Sequence, residues 1–151
     1  MKILVTGAAG FIGSMLCLKL LERGDEIIGI DNHNDYYDPM IKESRLKRLN
    51  KYSNYKHYRL DLCDQKNLND VFKNHQPIKV VNLAAQAGVR YSLENPLAYI
   101  NSNVVGFIHV LENCRQHKVE HLVYASTSSV YGSTPKMPFS EHDSANHTLS
   151  I

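Results

Sequence analysis

The chain is poor in the features that mark exported or membrane-bound proteins. Its three cysteines, Cys17, Cys63 and Cys114, are odd in number, far apart and without a Cys-x-x-Cys pair. That pattern excludes a disulfide framework and fits reduced thiols, so a cytoplasmic location is expected. No stretch approaches the ~18 apolar residues that a membrane helix requires. Met1 and Lys2 lead only into a short apolar run ending at Gly7, so neither an export signal nor a span is expected. Glycine and proline number only 8 and 5, which excludes collagenous and low-complexity classes. Charge of one sign is also scarce. The 17 basic and 15 acidic residues are spread along the chain and leave a net +2, so composition makes no case for nucleic acid or an acidic membrane surface. What is present is 151 residues that are 43% hydrophobic, enough for the core of one domain of ordinary size and too few for a second substrate domain.

Hydrophobic patterning alternates between two periods. Residues 2–6 are short, apolar and β-branched and read as a strand buried on both faces. In residues 11–23 the positions Ile12, Met15, Leu16, Leu18, Leu20 and Leu21 recur near helical spacing, with Gly24 as the stop. The pattern continues as a strand at 26–30 closing on Asp31, a polar Tyr-rich insert, and a surface helix at 39–50 opened by Pro39. Next come a strand at 55–60, a helix at 65–74 and a strand at 78–83. Beyond Pro96 a single long helix is predicted to run to about His117, with Val104, Phe107, Ile108, Leu111 and Cys114 forming a stripe for the core. A fifth strand follows at 121–125, and after Gly132 the sequence turns irregular, with Pro135, Pro138 and a polar run at 140–150 that reads as a cut end. The alternation predicts an α/β chain: a Rossmann-like, doubly wound parallel sheet with helices on both faces, truncated after about five strands. Ligands of such sheets sit at the carboxyl ends of the strands.

The first of those ends carries Gly7, Gly10, Phe11, Ile12 and Gly13 between a predicted strand and a predicted helix. A helix start aims free N–H groups and a positive dipole end at a pyrophosphate when side chains do not block the approach. The glycines could equally make only a tight turn. Asp31, ending the second strand, stands where a carboxylate hydrogen-bonds the adenosine ribose hydroxyls, though it could also cap a local turn with Asn32. Its charge would repel the 2′-phosphate of NADP, and no Arg directly follows it, so NAD is the expected cofactor.

The glycines stand at 7, 10 and 13, one residue wider in the first gap than the plain dinucleotide fingerprint. With Thr6 before them and Phe11 and Ile12 inside, they resemble the extended short-chain dehydrogenase/reductase (NAD-dependent epimerase/dehydratase) family. Further residues agree: Asp61 and Leu62 after the third strand, where that family contacts adenine; Asn82, Leu83, Ala84 and Ala85 after the fourth, lining the cofactor; and Asn103 in the long helix. The stretches 32–37, 84–92 and 124–132 look most like the amino-terminal part of nucleotide-sugar epimerases, UDP-glucuronate 4-epimerases in particular. The resemblance implies that Thr127 is the catalytic hydroxyl, with Ser126 beside the cofactor and Ser128, Ser129 and Arg90 facing a UDP-sugar. It further implies a Tyr-x-x-x-Lys base, which no predicted helix here supplies, so the fragment is expected to be inactive alone. Dehydratases and decarboxylases resembling this family place a carboxylic acid just after the Thr, because elimination needs an extra proton donor. Here Ser128 and Ser129 occupy those places, which favours epimerisation through a transient 4-keto sugar. A stand-alone NAD-binding module, or a fragment of a dehydratase or reductase, are the other readings.

Three features have plainer readings beside the functional ones. Arg90 could fork onto a diphosphate or sugar carboxylate, or pair with Glu94 one helical turn on. His117 and His121 have a tempting spacing, but a strand start between them argues against a metal, and none is expected. Lys42, Arg45, Lys47, Arg48 and Lys51 read as the solvated face of the insert helix opposite Ile41, Leu46 and Leu49, short of a nucleic-acid footprint. An exposed apolar strip near the long helix and fifth strand is expected, with a tendency to associate that could give a homodimer.

Overall fold

The computed structural model describes residues 1–133, 137–143 and 145, so Pro135 and most of the polar run to Ser150 lie outside the described residues. Five parallel strands, β1 Lys2–Thr6, β2 Glu26–Asp31, β3 Tyr55–Arg59, β4 Lys79–Asn82 and β5 His121–Tyr124, form one sheet in the order β3-β2-β1-β4-β5. The chain winds from β1 out to β3, then returns to the other side of β1, as a doubly wound sheet does. Thr6 registers with Ile30 on one side and Asn82 on the other, so the carboxyl ends of β1, β2 and β4 finish level.

Side chains of a strand alternate between faces, and each face here has its own core. Leu4, Ile28, Ile30 and Val80 pack under α3 Gln65–His75 through Leu68, Val71 and Phe72, and under α6 Gly106–Gln116 through Val110 and Cys114. On the opposite face Ile3, Val5 and Ile27 pack under α1 Phe11–Glu22 through Cys17 and Leu21, and under α2 Pro39–Leu49 through Leu46 and Leu49. Burial pushes the Cys17 thiol up to about 12 and the Cys114 thiol to about 11, and all three cysteines are free. Local chemistry sets the helix ends: Asp38 accepts from the Met40 N–H at 2.9 Å, Asp64 from the Asn67 N–H at 3.1 Å, and Gly24 turns the chain at φ +92° after α1.

The region after β4 departs from expectation. In place of one long helix there are two short turns, α4 Tyr91–Glu94 and α5 Pro96–Tyr99, then a π-helical segment Ile100–Val105 leading into α6. A π turn carries one extra residue and rotates everything after it by about 100° relative to an uninterrupted helix. The face that meets the sheet is therefore Gly106, Val110, Asn113 and Cys114, and of the predicted core stripe only Cys114 is buried. Val104, Ile108 and Leu111 are 45%, 51% and 40% exposed, and Val123 and Tyr124 on the edge strand β5 are exposed beside them. This is the exposed apolar strip expected there, built from residues assigned to the core. Among the described residues no helix is long and apolar enough to cross a membrane.

Candidate functional site

The turn from β1 into α1 is built by atoms that tolerate no side chain. Gly7 has φ +68°, and a Cβ there would come within 2.9 Å of the Ala84 nitrogen. A Cβ on Gly13 would strike the Gly7 carbonyl, while the Gly10 N–H donates to that same carbonyl at 3.0 Å. Thr6 ties this turn to the next loop: its hydroxyl donates to Asn82 Oδ1 at 2.6 Å and accepts from the Leu83 and Ala84 N–H groups at 3.2 and 3.1 Å. The first N–H groups of α1 have no earlier carbonyl in the helix and point out of its start, where Phe11 and Ile12 stand 75% and 67% exposed at the rim.

A cavity of about 560 Å³ opens over this turn. Its lining includes Gly7, Gly10, Phe11, Ile12, Gly13, Asp31, Asn32, Asp61, Leu62, Leu83, Ala84 and Ala85, so twelve of the sequence-chosen cofactor positions converge from four strand ends. Asp31 is buried. Its Oδ2 accepts from the Ala9 N–H at 3.1 Å, and its Oδ1 from the His33 N–H at 2.9 Å and from Lys42 Nζ at 3.1 Å. A carboxylate offers about four acceptor positions, so one remains for a ligand hydroxyl. Asn32 donates to Asp61 Oδ2 at 2.9 Å, and the Cys63 N–H to Oδ1 at 2.8 Å. Partial burial pushes the Asp61 carboxyl up, but these hydrogen bonds together hold it below its ordinary value.

Two residues here were misread from the sequence. Lys42 is not on a solvated face: both partners of the Lys42–Asp31 pair have side chains only 6% exposed, and Nζ also donates to Asn34 Oδ1 at 3.0 Å. Arg45 turns inward too, donating to the Ala9 carbonyl at 3.2 Å and the Tyr37 hydroxyl at 3.0 Å, with its guanidinium over the Phe11 and Tyr37 rings. The apolar counterface is likewise incomplete, since Ile41 is 42% exposed while Leu46 and Leu49 are buried. The missed signal was a tyrosine pair, Tyr36 and Tyr37, placed ahead of the helix, which folds the insert back over the cavity.

A second hollow of about 660 Å³ continues from the first, sharing Ala84, Ala85, Gln86, Ala87 and Ala125 with it. Asn103, Phe107, Tyr124, Ser126, Thr127 and Ser128 line it. The Asn103 amide braces its floor, accepting from the Gln86 N–H at 2.8 Å and donating to the Gln86 carbonyl at 3.0 Å, so both ends of that side chain are committed to the loop. Thr127 sits at the start of a 3-10 turn, Ser128–Tyr131, where its Oγ1 accepts from the Ser129 N–H at 3.2 Å. That leaves its hydroxyl proton free to serve a ligand. Ser129 lies outside the lining of both hollows.

Arg90 is exposed, lies outside both hollows and pairs with no acid, Glu94 included, among the described residues. His117 is taken by Asn69 Oδ1 at 3.0 Å and tilts over Phe72. Tyr52 and Lys56 have the spacing of a Tyr-x-x-x-Lys pair, but they straddle a turn and β3 and line neither hollow.

Known proteins resemble the chain in sequence and in fold. Residues 4–148 match the family described as GDP-mannose 4,6 dehydratase. Protein CapI of Staphylococcus aureus is 52% identical over 151 residues, covering 100% of this chain and 45% of that protein. UDP-glucuronate 4-epimerase 4 of Arabidopsis thaliana is 45% identical over 150 residues, covering 99% of this chain and 34% of that protein. Among solved structures, the UDP-glucuronic acid 4-epimerase of Bacillus cereus in complex with UDP-glucuronic acid and NAD superposes with a TM-score of 0.82 at 35% identity, over 90% of this chain and 43% of that one. The chain thus spans less than half the length of the curated relatives it matches.

Proposed function

The chain belongs to the GDP-mannose 4,6-dehydratase family, and on that footing we propose that it is the NAD-binding portion of a UDP-sugar 4-epimerase. The observation that carries this is the continuity of the crevice: the ribose-reading carboxylate of Asp31, the side-chain-free glycine turn and the Thr127 hydroxyl lie along two adjoining hollows. NAD suits the residues present. Asp31 keeps one acceptor position, which a ribose hydroxyl can fill and a 2′-phosphate, lacking a proton to give, cannot. Lys42 has two of its three N–H groups on Asp31 and Asn34, leaving one donor for the same ribose. The helix start would take the diphosphate, and Asn32 with Asp61 the adenine side. A bound nicotinamide would supply a hydride acceptor for the C4 alcohol of the sugar and a hydride donor for the resulting ketone.

Thr127 would hold the reacting hydroxyl of the sugar through a hydrogen bond, with Ser126 and Ser128 beside it. Epimerisation is favoured over dehydration because the positions after Thr127 carry Ser128 and Ser129, and neither hydroxyl can protonate a leaving group as a carboxylic acid does. Thr127 alone cannot remove the proton, and no helical Tyr and Lys four apart stand beside it among the described residues. The 151 residues are therefore expected to bind cofactor without turning over a UDP-sugar. Isothermal titration with NAD and NADP tests the reading. NAD is expected to bind at least about tenfold more tightly, the worth of one charge-assisted hydrogen bond; binding of neither would overturn it.

A further inference from the structure

Behind Asp31 lies a line of titratable groups that the proposed reaction does not use. His33 Nδ1 stands 2.9 Å from Glu43 Oε1, His33 Nε2 stands 2.8 Å from His57 Nε2, and His57 Nδ1 stands 3.1 Å from the Tyr55 hydroxyl. Hydrogen counting restricts the line sharply. A carboxylate only accepts, so His33 Nδ1 carries a proton. Two facing ring nitrogens at 2.8 Å can hold only one proton between them. At neutral pH, with burial keeping His57 singly protonated, either His57 donates to His33 and accepts from Tyr55, or His33 donates to His57 and His57 donates to Tyr55. In both arrangements His57 is uncharged. Burial, reinforced by His33, pushes its pKa down to about 4, against the smaller pull of Asp31 and Glu43. The other ionisable groups around the line are Lys42 on α2 and the buried Cys17 on α1; burial, and to a smaller degree Cys17 and Asp31, push the Tyr55 phenol up. Gly29 leaves the space that the Tyr55 hydroxyl fills.

The line has a mechanical consequence. His33 holds a left-handed backbone, φ +54°, which only a few per cent of non-glycine residues adopt. What imposes it is the ring, fixed at both nitrogens, and the outcome is that the His33 N–H points at Asp31 Oδ1. Glu43, the next residue after Lys42, is held by the same ring, so the line also fixes the helix that brings Lys42 to that oxygen.

We propose that His33 and His57, sharing one proton, are positioning residues that aim the Asp31 carboxylate at the adenosine ribose of the cofactor. The proposal rests on the NAD-binding reading above, and the test separates the two. Affinities of ADP and 2′,3′-dideoxy-ADP are measured by titration at neutral pH for the wild type and for His33→Ala, His33→Gly and His57→Phe, each checked for folding by circular dichroism. The wild type should prefer ADP by about tenfold, one charge-assisted hydrogen bond, and His33→Ala should bring that preference within about twofold. His33→Gly also lacks the ring but adopts positive φ without strain, so it should keep more than about fivefold. A role in packing alone predicts the reverse, since glycine leaves the larger void. His57→Phe keeps ring volume and loses the proton, and should fall to about threefold; it carries the test if His33→Ala does not fold. Unchanged preference in His33→Ala, or equal loss in the alanine and glycine variants, overturns the positioning role while leaving cofactor binding intact. A wild type that binds neither ADP nor NAD overturns the cofactor reading, and the positioning role with it.

Discussion

The two hollows of the crevice are built on opposite terms. Around Asp31 the charged groups are largely paired: a buried carboxylate with three donors, a buried ammonium with two acceptors, and a half-buried guanidinium between two rings. Around Thr127 the same chain offers exposed hydroxyls whose one internal bond among the described residues is a local turn contact. Buried charges are costly unless fully paired, whereas exposed hydroxyls exchange freely with water. The first hollow is therefore preorganised and coupled to stability, and the second is free to change without cost to the fold.

The largest test of that contrast is a pair of substitutions. Asp31→Ala leaves Lys42 buried without its partner and should lower unfolding stability by about 3 kcal/mol or more. Thr127→Ala removes one turn contact at the surface and should stay within about 0.5 kcal/mol of wild type. Urea denaturation of both decides it, and equal losses would erase the distinction between the hollows.

Acid should act on the same side of the crevice. The folded His57 takes a proton only near about 4, while the unfolded chain takes it near 6.5. Between those values the unfolded state binds more protons, so stability rises with pH across the window. His57 contributes no penalty above 6.5, and a growing one as pH falls toward 4. Allowing for the ring's partial contact with water, the loss by mid-window is of order 1 kcal/mol. Chemical denaturation of wild type and His57→Phe at several pH values measures it; the variant should show a flatter profile through this window.

How much of this was legible beforehand depends on the range of the interactions involved. Strands, glycine turn and Asp31 follow from local period and spacing, and a doubly wound parallel sheet of five strands is what the molecule has. The roles of Lys42 and Arg45 depend on an insert folding back over the crevice, and a cationic residue at helical spacing carries no mark of which way its face will turn. The π segment Ile100–Val105 was hidden for a related reason: its single extra residue changes no residue type, only the rotation of everything that follows. His33 and His57 lie 24 positions apart and meet only because β2 and β3 are neighbours in register.

That rotation leads to the smallest effect expected. Val104, Ile108 and Leu111 on the helical side and Val123 and Tyr124 on the edge strand form one apolar surface, and such surfaces favour association. Ile108 is already 51% exposed, so replacing it with Lys removes little packing and should change stability by no more than about 0.5 kcal/mol. The charge would instead penalise any contact that covers it, because desolvating an unpaired ammonium is costly. Sedimentation velocity across a concentration series should show concentration-dependent association for the wild type, with Ile108→Lys shifted toward monomer at an unchanged melting temperature. Because Ile108 lines neither hollow, NAD affinity should be the same in both proteins, which separates the adenosine side from the open side by a measurement on each.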